Sequence, residues 1–141
     1  QTWKTQYHVR NIMDRLYTNA PDGLCGDEDN GQTSAWYVFS ALGFYPVCPG
    51  SNQYVIGTPL FKKASVHFSN GNILHIDAPQ NSKENMYIQS LRFNHQIQEA
   101  NYFTHQDLIK GGNITFDLTS TPNYNRGIEA KFFPFSITNS K

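Results

Sequence analysis

The sequence predicts an α+β chain, a helical piece of about 45 residues followed by a small antiparallel β-sandwich or sheet unit. Three observations predict it. Apolar residues keep a helical spacing as far as Leu42. Pro46, Pro49, Gly50 and Pro59 then break helices, and apolar positions begin to alternate. Asn70-Gly71 lies between two alternating runs, as the turn of a hairpin does. The boundary falls near Val47 to Asn52, dividing the chain into units at 1–48 and 49–141.

Trp3 to Tyr17 reads as the first helix. Val9, Ile12, Met13, Leu16 and Tyr17 form one buried stripe, with Lys4, Arg10, Asp14 and Arg15 off it. Asn19 to Gly23 turns the chain. Gln32 to Leu42 reads as the second helix, apolar nearly all round and therefore expected to be buried in a larger assembly. Gly43 is placed as a left-handed C-cap. Strands are expected at Tyr54 to Ile56, around Ala64 to Phe68, and at Ile73 to Ala78 with Leu74, Ile76 and Ala78 inward. Tyr87 to Phe93 is a further strand, followed by a turn at Asn94-His95 and a short strand near Ile97. Thr104 to Lys110 reads as a helical turn ended by Gly111-Gly112. Ile114, Phe116 and Leu118 alternate cleanly, and Phe132 to Ile137 is a last strand or a tail packed on a neighbour.

Composition excludes several functions. The 141 residues carry a formal net charge of +0, so no nucleic-acid or anionic-membrane partner is indicated. No apolar run is long enough to span a bilayer. The start, Gln1-Thr2-Trp3, has neither initiator Met nor signal pattern, and the expectation is a piece of a longer chain. Cys25 and Cys48 flank the stretch between them as a staple or as two free thiols.

The chemistry is concentrated in Gly26-Asp27-Glu28-Asp29-Asn30-Gly31, directly before the second helix. Adjacent carboxylates raise one another's pKa, while a helix N-terminus favours their ionised form. The plain reading is capping, with Asn30 capping a helix that begins near Gly31. A calcium loop counted from Asp27 fails, because Gln32 and Val38 stand where Gly and Glu are needed. In an extended loop Asp27 and Asp29 would share a side and face one water, with Glu28 turned away. A carboxylate that polarises water is the base of an inverting glycosidase. None of Glu84, Glu99, Asp107 or Asp117 is placed to be the matching acid. The five histidines lack metal-ligand spacing; His67 and His75 are expected to face each other across the hairpin. No phosphate-binding Gly loop or serine elbow is present, and Asn113-Ile114-Thr115 is an inexpensive match to a glycosylation sequon.

Gly26 to Tyr37 resembles the signature of glycoside hydrolase family ninety-two, the calcium-dependent exo-acting α-mannosidases. The resemblance continues through Lys4 to Tyr7, Met13 to Tyr17, Gly43 to Pro46, Pro49-Gly50, Tyr54, Gly57 to Phe61, Asn94 and Gly111-Gly112. It implies that this chain holds the last helices of an (α/α)6 toroid and a terminal β-unit, after an upstream N-terminal β-sandwich. It implies an inverting exo-α-mannosidase that removes terminal α-linked mannose, with α1,2 linkages expected, in N-glycan degradation. Asp29 maps onto the base, with Asp27 assisting. The glutamate acid and the main ligands of the calcium are expected upstream, so no metal ligand is assigned here. The partners implied are a mannose-containing glycan and the rest of the same polypeptide. The expected location is periplasmic, secreted or cell-surface, and the isolated chain is expected to be inactive. Where many members carry Met, this chain has Thr33. The alternative is a non-catalytic carbohydrate-binding or structural β module, with Tyr87, Tyr102 or Phe103 as stacking platforms.

Overall fold

The computed structural model describes residues 1–139. Two helices come first, α1 (Thr2–Leu16) and α2 (Gln32–Leu42). Eight strands follow: β1 (Phe44–Tyr45), β2 (Gln53–Ile56), β3 (Lys63–His67), β4 (Ile73–Asp77), β5 (Tyr87–Phe93), β6 (Gln96–Ile97), β7 (Tyr102–Thr104) and β8 (Gly112–Thr119). A short helix, α3 (His105–Leu108), separates the last two strands and is capped by the Thr104 hydroxyl, which accepts the Asp107 N–H.

The strands form two sheets. One has the order β1-β2-β7, the other β3-β4-β8-β5-β6. They share one core: Phe44, Ile56 and Phe103 from the first meet Leu74, Ile76, Leu91, Ile114 and Phe116 from the second. Burial of each such side chain is worth about 1.5–3 kcal/mol.

The fold departs from a wholly antiparallel unit at one place. β4 pairs with β8 in parallel, Ile76 beside Ile114. The long excursion through β5, β6, β7 and α3 supplies the crossover that a parallel pair needs. β1 and β7 flank β2 in the smaller sheet. Their two and three residues are too short to show a period of two. Phe132 to Ile137 forms no strand; short 3₁₀ turns occupy Ala130–Phe132 and Ile137–Asn139.

The Asn70-Gly71 signal makes a hairpin through Ser69-Asn70-Gly71, with Gly71 left-handed and Phe68 N–H donating to Asn72. Its register sets Ser65 opposite His75 and His67 opposite Ile73. The two histidines are therefore offset, not facing. His75 Nδ1 instead pairs with the Ser65 hydroxyl at 3.0 Å. In β5 a bulge between Ile88 and Ser90 shifts the alternation, so Ile88 and Leu91 both point inward.

α1 buries a face rotated from the apolar stripe, sharing Met13 with it and keeping Val9 and Ile12 half-buried. Gln6, Arg10 and Met13 are its buried residues, while Leu16 is 50% exposed. Polar partners explain the rotation. Gln6 Oε1 accepts the Ile88 N–H at 3.1 Å, and Arg10 donates to Pro59 O at 2.7 Å and Asn81 Oδ1 at 2.8 Å. Within this chain α2 packs on one side, against α1 and β1, and leaves Val38 57% exposed.

The segment Gly57-Thr58-Pro59-Leu60 joins helices to sheets. Gly57 N–H donates to Gly43 O and Leu60 N–H to Ala41 O, both at 2.9 Å, and the buried Thr58 hydroxyl donates to Met86 O. Gly43 ends α2 in the left-handed region at φ 96, as its placement predicts.

Gly112 opens β8 at φ 121, where a Cβ would lie 2.0 Å from Asn94 Oδ1. That oxygen accepts the Asn113 N–H at 2.8 Å. Gly112→Ala is expected to cost about 2 kcal/mol through strain and loss of this bond, read as earlier thermal unfolding. An unshifted transition would show that neither matters.

Candidate active site

The acidic turn is delivered by α1 and received by α2. After α1 the chain reverses, with Thr18 N–H donating to Gly23 O and Gly23 N–H to Ala20 O, each at 2.9 Å. It then enters Asp27–Gly31. This turn is not extended throughout. Asp29, Asn30 and Gly31 take φ of 53, 58 and 92, three successive left-handed residues. Asp and Asn tolerate this region better than other side chains, yet each such residue still costs free energy. Runs of this kind persist where surrounding bonds over-determine them.

Those bonds are present. Thr33 N–H donates to Glu28 O at 3.1 Å and Gln32 N–H to Asp29 O at 3.3 Å. The Thr33 hydroxyl donates to Asp27 O at 2.8 Å. Glu28 Oε2 accepts the Ser34 N–H at 3.2 Å, and Glu28 Oε1 accepts the Ser34 hydroxyl. Glu28 therefore satisfies the start of α2, the task the sequence reading gave to Asn30. Gly31 stands at the N-cap and contributes no side chain.

Tyr17 braces this start from α1. Its hydroxyl donates to Thr33 O at 3.3 Å, and its ring stacks on Trp36 with centroids 5.7 Å apart and planes at 15°. Burial, and then the hydrogen bond with Cys25, push the Tyr17 hydroxyl up to about 12. Tyr17 thus stays protonated and donating at neutral pH. Cys25 and Cys48 are both free thiols, half-buried.

Asp27 and Asp29 are both exposed at this turn. Among the described residues their carboxylates take part in no hydrogen bond or ion pair, unlike that of Glu28 between them. Two free carboxylates beside one committed carboxylate can accept a proton from water. Glu84, Glu99, Asp107 and Asp117 lie in the β part; Asp107 accepts from Thr104 at 2.6 Å and Asp117 faces Ser90. Among the described residues no set of three His, Cys, Asp or Glu side chains converges to hold a metal ion.

A cavity of about 540 Å³ lies elsewhere, between the start of α1 and the tail, lined by Trp3, Val55, Tyr124, Ile128 and Phe133 among others. Among the described residues its lining holds no carboxylate. Of the aromatic residues expected as sugar platforms, Phe103 is buried, its ring against Phe44 and Phe93. Such a side chain belongs to the core and cannot stack on a sugar.

A family model described as "Glycosyl hydrolase family 92 catalytic domain" matches residues 1–120. Among solved structures, the family GH92 inverting mannosidase BT2199 from Bacteroides thetaiotaomicron VPI-5482 is 51% identical with a TM-score of 0.90. The match covers 96% of this chain and 18% of that one. The family GH92 α-mannosidase BT3965 from Bacteroides thetaiotaomicron is 40% identical, TM-score 0.91, over 96% of this chain and 18% of its own. The GH92 family glycosyl hydrolase ccman5 is 24% identical with TM-score 0.72 over 77% of this chain, a likeness that concerns the fold alone. No curated protein matches the chain.

Proposed function

Because this chain belongs to glycosyl hydrolase family 92, we propose that it is part of an inverting exo-α-mannosidase that removes terminal α-linked mannose from glycans. The chain spans 18% of the length of the first two solved relatives, so the reading concerns a longer enzyme. The observation that carries it is the turn itself. Its left-handed backbone is held by α2, and Glu28 is committed to the helix while Asp27 and Asp29 stay free.

Asp29 is the base. It takes a proton from a water whose oxygen attacks the anomeric carbon as the glycosidic C–O bond breaks. The leaving oxygen receives its proton from an acid outside these residues. Asp27 orients the water or shares its proton. The helical residues 1–48 would close the toroid, and residues 49–141 would brace it. Calcium, where the enzyme uses it, would be held by residues elsewhere in the longer chain. We place the enzyme in the periplasm, in the medium or at the cell surface, acting on α1,2-linked mannose of N-glycans.

The test is the configuration of the first sugar released. The complete enzyme should give β-mannose from an α-mannoside, seen by proton NMR before mutarotation. α-Mannose as first product would overturn inversion, and absence of mannose release would overturn the substrate. The isolated 141-residue chain should release none, because the acid is expected elsewhere in the enzyme; turnover by it would place an acid among these residues.

A further inference from the structure

We infer that Glu28 is a positioning residue whose carboxylate, anchored on Ser34, sets the pose in which the turn presents Asp27 and Asp29. This rests on the proposed base. Position alone would make Glu28 a third candidate for proton transfer, since it lies between the other two in sequence. Its contacts separate it from them. Both oxygens are engaged, Oε2 with the Ser34 N–H at 3.2 Å and Oε1 with the Ser34 hydroxyl. That hydroxyl also lies 3.3 Å from Gly31 O. The anchor therefore spans the three left-handed residues, from Glu28 before them to Ser34 after them.

A turn of this conformation relaxes when its restraints are removed. The backbone bonds at Thr33 and Gln32 remain without the Glu28 side chain, so the turn would shift without unfolding. Thr33 adds a second staple through its hydroxyl on Asp27 O at 2.8 Å, which a methionine there could not make. A displacement of about 1 Å at a general base costs on the order of a hundredfold in rate. Glu28 need not touch substrate to have that effect.

The conservative variant separates positioning from chemistry. In Glu28→Gln the amide oxygen still accepts the Ser34 N–H. The amide NH₂ donates to Ser34 Oγ, whose proton turns to Gly31 O. The anchor is kept and the ability to take a proton is lost.

The experiment uses the complete enzyme and an aryl α-mannoside. Glu28→Ala is expected to lower kcat about 10–100-fold with KM within about twofold. Glu28→Gln is expected to stay within about fivefold of the parent. Ser34→Ala keeps the bond from its N–H and loses only the hydroxyl, so it should lower kcat in the same direction but less, and combining it with Glu28→Ala should add little, since the hydroxyl acts through Glu28. Near-parental kcat in Glu28→Ala, or Glu28→Gln as impaired as Glu28→Ala, would overturn the assignment. If Glu28→Ala does not fold, Glu28→Gln and Ser34→Ala decide it by the same criteria. Asp29→Asn on the same substrate separates the two readings. If it is inactive while Glu28→Ala is normal, only the anchor fails; if it stays active, the base itself is wrong.

Discussion

Asp29→Asn in the complete enzyme is expected to lower kcat by about 10²–10⁴-fold, the span that a positioned general base contributes. That is about 2.7–5.4 kcal/mol of transition-state stabilisation. Local geometry makes this substitution informative. Asp29 sits at φ 53, and Asn is among the residues that accept this region most readily. Its backbone carbonyl, which accepts the Gln32 N–H at 3.3 Å, is unchanged by the substitution. Its carboxylate has no hydrogen-bond partner among the described residues, so nothing is orphaned by an amide. The turn should survive, and the loss should fall on proton transfer alone, with KM little altered. Asp27→Asn should cost less, since Asp27 assists. A loss below tenfold in Asp29→Asn would remove it from the role.

Much of this architecture is legible in the chain. Gly43 after an apolar helix, Asn70-Gly71 between alternating runs, and Ile114, Phe116 and Leu118 in step each specify their structure through local chemistry. The features that escaped reading depend on partners distant in sequence. Ile88 and Leu91 are three apart, and only the bulge against β8 turns both inward. The parallel β4–β8 pair joins segments that no local signal connects. Within the site, the acidic stretch is plain, but the division of labour among its carboxylates is not. Spacing assigns Asp27 and Asp29 to one side of an extended loop, whereas the left-handed backbone and the Ser34 anchor are what distinguish Glu28. Arg10 is the largest such case, because periodicity treats a charged residue as outward-facing by default.

Arg10→Leu is accordingly expected to destabilise the protein by about 3–5 kcal/mol, although it puts an apolar residue at a buried helix position. Arg10 is 4% exposed, and its fork ties α1 to three oxygens beyond it. Nη1 donates to Pro59 O and to Asn81 Oδ1, and Nη2 to Ser82 O at 3.3 Å. Asn81 in turn donates to Leu60 O at 2.7 Å, so one guanidinium holds both the Pro59-Leu60 joint and the loop after β4. Removing it leaves buried acceptors without donors, each costing about 1–3 kcal/mol, and leucine supplies none. Burial lowers the pKa of Arg10 and Asp14 opposes that shift, which leaves a guanidinium charged at any physiological pH. Arg10→Lys should recover only part of the loss, because one ammonium cannot reproduce a planar fork. Thermal unfolding of the complete enzyme reads both variants. If Arg10→Leu unfolds within a degree or two of the parent, the helices and sheets are joined by apolar packing, and the polar joint is incidental.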